Sequence, residues 1–317
     1  MARSPIPICL ESTPRGTNCI DFRILASACI RCSGALSLLI LTIHPSDFYI
    51  KNSREPSRRV RTLVEIGSLK IYDDDVPKQA KKAWDKLADW YSARKKASYE
   101  FKILLPRVMS LLSNLSGKKL IDIGCGSCAY SAEFAARGAD VFGVDISRGM
   151  LERARASIEA NEIDIQLLMS DAHSLPYVHD SFDITVFMLT ILDPGMVKEA
   201  ARVLRPNGIL LFSDTHPLIE AKGHWKSQRT GAPILIEDYF SKDKRKWQIE
   251  YDRKQTIQLR YHTRTIEQCV NMLADAGFSI LRIAEPEPVK SLKKHDPKGY
   301  DKYSRIPYFI IYLAQKH

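Results

Sequence analysis

Three aspartates, each standing at or near the end of an apolar run, are the side chains of this chain best suited to hold a polar ligand. The first, Asp122, lies inside Leu120-Ile121-Asp122-Ile123, a run that stops abruptly at Gly124-Cys125-Gly126-Ser127-Cys128. Glycines directly after a strand let the backbone turn sharply and approach a ligand that a Cβ would fend off, while the helix that follows aims its N-terminal amides into the same crevice. Asp145 follows about 20 residues past the glycines, where a carboxylate is placed to accept both hydroxyls of a ribose. Asp171 closes a third run, Leu167-Leu168-Met169-Ser170-Asp171-Ala172. Three carboxylates at three successive strand ends are hard to explain as structure alone.

The elements that must position these residues are legible in the pattern. Residues 120–123 read as a strand, 129–137 as a helix and 139–144 as a second buried strand, which together make one βαβ unit. Ser147 caps a helix through 160, and strands follow over 163–169 and 181–189, the latter almost continuously apolar as a strand buried on both faces should be. A helix over 196–204, a strand over 208–213, a helix over 265–276 with Gly277 past its end, and strands over 279–284 and 308–313 complete the series. Upstream, Ala80, Trp84, Leu87, Ala88 and Tyr91 recur at helical spacing from Pro77, and 101–115 forms a second helix. Strands alternating with helices predict an α/β doubly wound, mostly parallel sheet. The stretch 217–264 interrupts the alternation with aromatics and charge, and its polar–apolar alternation at 246–250 and 256–261 predicts a small β-hairpin lid at the carboxyl ends of the strands.

The spacing D-x-G-x-G departs from the dinucleotide fingerprint G-x-G-x-x-G, because the position three after Gly126 is Ala129. With Asp145, Asp171 and the Arg202-Val203-Leu204-Arg205-Pro206-Asn207-Gly208 approach to the fifth strand, the chain resembles the class I S-adenosylmethionine (SAM)-dependent methyltransferases from about residue 84 to 313. Ser213-Asp214-Thr215-His216-Pro217, Tyr261-His262-Thr263-Arg264-Thr265 and Ala276-Gly277-Phe278 look like the subgroup related to ubiquinone and menaquinone biosynthesis. The resemblance implies a seven-stranded Rossmann-like sheet with its last strand antiparallel, SAM as cofactor, and a small-molecule acceptor. It further implies that Asp122 orients the methionine ammonium, that Gly124 and Gly126 allow close approach, that Asp145 takes the ribose, and that Asp171 accepts from the adenine amino group. Ile146, Ala172 and Leu189 would line the same site. The segment Trp84 to Tyr91 matches a family shape that lies over the cofactor cleft, which implies Tyr91 as a cleft residue. Cys128 departs from the family, whose members usually carry a third glycine there.

Acceptor chemistry rests on His216, His262 and Tyr91. His216 precedes Pro217, whose ring restricts the residue before it to extended backbone, so the direction of the imidazole is fixed. A histidine at a strand end can take a proton near neutrality from an acceptor hydroxyl or acidic carbon, or can hold the lid by a hydrogen bond. The segment 189–194 lacks the Asn/Asp-Pro-Pro-Tyr/Phe signature of exocyclic-amine methylation, which counts against base modification. The net charge of +10 divides into +5 over residues 1–70, −2 over 71–216 and +7 over 217–317. A basic C-terminal third, with the run at 242–246, keeps open an RNA methyltransferase that tracks phosphates. A non-catalytic SAM-binding regulatory protein is the third reading.

Residues 1–70 show no amphipathic period and are expected to form a disordered or non-functional extension ahead of a methyltransferase domain at 71–317. Their apolar run at 35–43 is too short to span a bilayer. Cys29-x-x-Cys32 has no companion ligands for a metal, and Cys125-x-x-Cys128 is accounted for by the glycine turn, although its spacing is that of a redox pair. Cysteine usage suggests no disulfide framework, which makes a cytoplasmic location the default.

Overall fold

The computed structural model describes residues 75–221, 239–240, 244–251 and 255–317, together with three short strands nearer the N-terminus: β1 (Ile8–Leu10), β2 (Leu39–Leu41) and β3 (Val64–Glu65). The remaining expectations for 1–70, including Cys29 and Cys32, and those for 222–238 lie outside the described residues.

Two helices lead into the sheet. Helix α1 (Asp75–Lys95) buries Ala83, Leu87 and Ala88 along one stripe. Helix α2 (Tyr99–Leu111) is capped by Ser98, whose hydroxyl accepts from Phe101 N, so it starts two residues earlier than its apolar period suggests. The alternating series then runs β4 (Lys119–Ile123), α3 (Ala129–Ala135), β5 (Asp140–Asp145), α4 (Arg148–Ala160), β6 (Ile165–Met169), β7 (Phe182–Met188), α5 (Pro194–Val203) and β8 (Leu204–Thr215). After the short α6 (Pro217–Glu220) come β9 (Lys244–Tyr251), β10 (Gln255–His262), α7 (Ile266–Asp275), β11 (Phe278–Ala284), α8 (Leu292–His295), α9 (Pro297–Ser304) and β12 (Phe309–Lys316).

The sheet order is β11-β12-β8-β7-β4-β5-β6-β3. Strand β12 is antiparallel to both its neighbours, and the other pairs from β8 to β3 are parallel. Seven long strands thus form the doubly wound sheet, with two-residue β3 added at its edge. Apolar side chains cover both faces. Leu104 and Val108 of α2, Phe134 of α3 and Ala154 of α4 pack on one, while Val197 and Ala200 of α5 and Leu273 of α7 pack on the other. Strand β7 is buried at nearly every position, including Thr185 at 0% exposure, because it has helices on both sides.

Strand order reverses at β4, which pairs with β5 on one side and β7 on the other. A crevice opens at the carboxyl ends of parallel strands at such a switch point, so the topology itself locates the place where a ligand fits.

The inserted segment forms a regular antiparallel hairpin of β9 and β10, in register from Tyr251↔Gln255 to Lys244↔His262. Its Ile249 and Leu259 pack with Ala83 and Leu87 of α1. The hairpin therefore rests on the helix that precedes the sheet. Among the described residues no helix is long and apolar enough to cross a membrane.

Candidate active site

The turn after β4 is fixed by backbone bonds before any ligand is considered. Gly124 N and Cys125 N both donate to Val144 O, at 2.7 and 3.0 Å, which draws the turn across the end of β5. The two glycines then differ in what they leave room for. A Cβ on Gly124, at φ 76°, would lie 2.5 Å from Thr190 Oγ1, and that hydroxyl donates to Ile123 O across the switch point at 3.1 Å. A Cβ on Gly126, at φ 54°, would find only Met150 Sδ at 4.0 Å. The close approach at Gly124 is to the protein itself, and the open cradle lies at Gly126.

Asp145 ties this turn to the next helix. Its Oδ2 accepts from Gly126 N and its Oδ1 from Ser147 N, both at 2.8 Å. Burial raises its pKa, against the pull of those backbone donors. Ser147 caps α4 through Met150 N and donates to Asp85 Oδ1 at 2.7 Å, while Gly149 N donates to the same oxygen at 2.9 Å. Asp85 therefore clamps α1 onto the start of α4, next to the strand end that carries Asp145.

Asp122 is 1% exposed. Its Oδ2 accepts from Ser131 Oγ of α3 at 2.5 Å, and its Oδ1 is buried without a hydrogen-bond partner in the protein. Burial, reinforced by the nearby Asp145 charge, pushes its pKa up to about 7. A carboxylate with one satisfied and one orphaned oxygen awaits a donor, because an unpaired buried polar atom costs about 1–3 kcal/mol. Close by, Tyr130 of α3 has its hydroxyl buried without a partner, and burial, with Tyr91 and Asp122 near it, raises that hydroxyl further. Lys95, 5% exposed, donates from Nζ to Tyr91 Oη at 2.7 Å and sits over the Tyr91 and Tyr130 rings at 4.9 and 5.3 Å. Tyr91 of α1 is thus linked through Lys95 to Tyr130 of α3, its ring edge-on to Trp84 at 5.3 Å.

At the end of β6, Asp171 Oδ1 accepts from His173 N and lies 2.7 Å from His173 Nδ1, while His173 Nε2 lies 2.7 Å from Asp193 Oδ2. Hydrogen bonds to Asp171 and then Asp193 push the His173 pKa up to about 10, so a charged imidazolium bridges two carboxylates. Burial works to raise both acids, but the His173 contacts outweigh it and hold them below their ordinary value. Asp193 also caps α5, so the bridge joins the β6 and β7 strand ends. Ala172 and Ile146 are half-buried beside their aspartates, and Leu189 adopts φ 58° at the end of β7 with its N–H on Ser213 Oγ.

The acceptor-side candidates are less concentrated. His216 is 2% exposed; its Nδ1 accepts from Leu218 N at 3.1 Å and its Nε2 lies 2.9 Å from Glu285 Oε1. Both ring nitrogens are engaged, and burial pulls its pKa below the ordinary histidine value against the effect of Glu285. It caps α6 and joins the ends of β8 and β11. His262 ends β10 opposite Lys244, with its side chain outside the described set. The structure ties Gly126 directly to Asp145, places Asp122 beneath α3 close to Asp145, links Tyr91 through Lys95 to Tyr130, sets Asp171 and Leu189 at the ends of β6 and β7, and leaves His262 on the hairpin.

Sequence reasoning assigned no role to Asp85, Lys95, His173 or Thr190. Asp85 and Thr190 act on partners 62 to 67 residues away, which no local pattern signals. His173 carried a readable hint, since a histidine two residues past a strand-end aspartate can bond it directly.

The chain is similar to known proteins both along its sequence and in its fold. Residues 120–208 match the family described as "Methyltransferase domain". An uncharacterised protein of Haemophilus influenzae is 30% identical over 57% of this chain and 75% of its own length. A demethylmenaquinone methyltransferase of Clavibacter sepedonicus is 31% identical over 39% of this chain and 53% of its own, so the chain spans about half of that relative. In three dimensions the chain is similar to an S-adenosylmethionine-dependent methyltransferase of Mesorhizobium loti, with a TM-score of 0.54 and 24% identity over 69% of this chain and 98% of that one. With the strand order, the reversal at β4 and the D-x-G-x-G turn, these likenesses show that the chain belongs to the class I SAM-dependent methyltransferases, and within them resembles the quinone-biosynthesis subgroup.

Proposed function

We propose that this chain transfers a methyl group from SAM to a small organic acceptor, with the cofactor held at the carboxyl ends of β4, β5 and β6. The observation that carries this reading is Asp122 Oδ1, a buried acceptor with no donor in the protein, beside an open cradle at Gly126. The residues present fit the cofactor part by part. Asp122 would meet the methionine ammonium, and Lys95, a buried cation held by Tyr91 and two ring faces, would meet the methionine carboxylate. Asp145, its carboxylate pre-oriented by Gly126 N and Ser147 N, would accept from the ribose, and Asp171, fixed by His173, from the adenine amino group.

SAM supplies the chemistry, an electrophilic methyl on a sulfonium. The protein's part is to hold donor and acceptor close and to exclude water, contributions that together reach about 7 to 11 kcal/mol in favourable cases. Helix α1 is placed for the exclusion, clamped by Asp85 at the start of α4, presenting Tyr91, and backed by the hairpin that would serve as a lid. The small-molecule acceptor is supported by the quinone-methylating relative and by the absence from the sequence of the base-modification signature.

Asp145→Ala should weaken SAM by roughly 1.5 to 3 kcal/mol, the range for hydrogen bonds to a charged group. Isothermal calorimetry on the wild type and the variant checks it, and unchanged affinity would overturn the site.

A further inference from the structure

Two thiols in the glycine turn take no part in methyl transfer as proposed, and their placement calls for a separate account. Cys128 N donates to Cys125 O at 2.9 Å, closing a four-residue turn. Such a turn keeps its terminal Cα atoms within about 7 Å, near the span that a disulfide bridges. Both sulfurs also converge beneath the turn. A Cβ built on Gly143 of β5 would lie 3.0 Å from Cys125 Sγ, 3.1 Å from Leu167 Cδ2 and 3.2 Å from Cys128 Sγ, so both sulfurs border the same point of the strand. Finally, Cys128 holds φ 60°, in the left-handed region that disfavours any residue with a Cβ. Strained residues of this kind persist where the surroundings over-determine them, and they cluster at functional sites.

We propose that Cys125 and Cys128 form a reversible intrachain disulfide, which makes the turn an oxidation site for low-molecular-weight disulfides. Cys125, half-buried, is the less enclosed of the two, and Cys128 is buried. The Cys125 thiolate attacks a sulfur of oxidised glutathione; the glutathione S–S bond breaks, one glutathione thiolate leaves, and a mixed disulfide remains on Cys125. The Cys128 thiolate then attacks the Cys125 sulfur and expels the second glutathione thiolate. The two cysteine protons end on the two glutathiones, and two electrons pass from the chain to the oxidant. Burial pushes the Cys125 thiol well above its ordinary value, so the exchange is slow at neutral pH and quickens as pH rises. Gly126, whose N–H holds Asp145, lies inside the ring that the disulfide would close. Oxidation should therefore disturb cofactor binding. That consequence rests on the proposed function, whereas the disulfide does not.

The full chain is equilibrated with oxidised glutathione at pH 8, quenched in acid, alkylated in denaturant and digested with trypsin. Residues 120–137 form one peptide that carries both cysteines. The expected result is a peptide lacking two hydrogens and taking no alkyl group, restored by dithiothreitol, while Cys128→Gly yields the glutathione adduct on Cys125 instead. A wild-type peptide that stays doubly alkylated, or that stops at the mixed disulfide, overturns the proposal. Calorimetry with S-adenosylhomocysteine should then show at least tenfold weaker binding to the oxidised chain, reversed by reduction. Equal affinity of both forms would overturn the coupling to the cofactor. Failure of the reduced chain to bind at all would count against the methyltransferase reading and leave the disulfide result standing.

Discussion

Asp122 is the residue whose ionisation depends most on what fills the crevice. Burial holds its pKa at about 7, so near neutrality it is a mixture of acid and carboxylate. A cation beside it favours the carboxylate, so binding of SAM should release a proton, and affinity should rise with pH through 7. Calorimetry in buffers of different ionisation enthalpy measures that release directly; Asp122→Asn should abolish it, and a wild type without it would place the ammonium elsewhere. His216 makes the opposite case. With Nδ1 accepting from Leu218 N and Nε2 on Glu285, neither nitrogen is free in this conformation to take a proton. His216→Ala is accordingly expected to lower folding stability by roughly 1 to 3 kcal/mol, the range for buried partners left unsatisfied. Its maximal rate at saturating SAM should fall less than tenfold. A loss of 10² to 10⁴ in rate with stability intact would instead mark it as the base.

Among the elements, the bridge from β6 to the start of α5 has its own pH signature. His173 rises from 6.5 to about 10 on folding, so its contribution is fully present below pH 6.5, declines above that, and is lost once pH passes 10. Denaturant unfolding of the wild type should weaken between pH 7 and 10 more steeply than that of His173→Ala; parallel curves would show that the bridge adds nothing. The elements legible in the sequence are those whose signal is local. Strand β7 announced itself by continuous apolar residues, α4 by Ser147, and the β9–β10 hairpin by alternation on both arms. Strand β8 was read short because Arg205-Pro206-Asn207-Gly208 looks like a turn, yet the ladder begins at Leu204, with Asn207 at φ 62° taken up inside the strand. Helices α8 and α9 are too short and polar to leave a readable period in the sequence. They are secured by Tyr99 Oη donating to Asp296 Oδ2 at 2.6 Å and by Tyr99 stacking on Tyr303, contacts some 200 residues apart in the chain. For the site, the three aspartates could be read from their positions at strand ends. Asp85, Lys95 and Thr190 could not, because what they touch is decided by how α1 and β7 pack against the switch point.

At the scale of the molecule, the domain that carries the three aspartates is close to electrically neutral, and the positive charge is concentrated toward the two ends of the chain. A near-neutral domain in which buried Lys95 lies over the Tyr130 ring and Asp122 lies close enough to raise the Tyr130 hydroxyl offers a polyanion little electrostatic attraction. The central claim is methyl transfer from SAM to a small molecule, and it is tested by incubating the full chain with methyl-labelled SAM and a cell extract separated into small molecules, nucleic acid and protein. The account predicts S-adenosylhomocysteine formation with label in the small-molecule fraction, strongly reduced by Asp145→Ala. Label in nucleic acid instead, or no S-adenosylhomocysteine above the enzyme-free blank with any fraction, would contradict it.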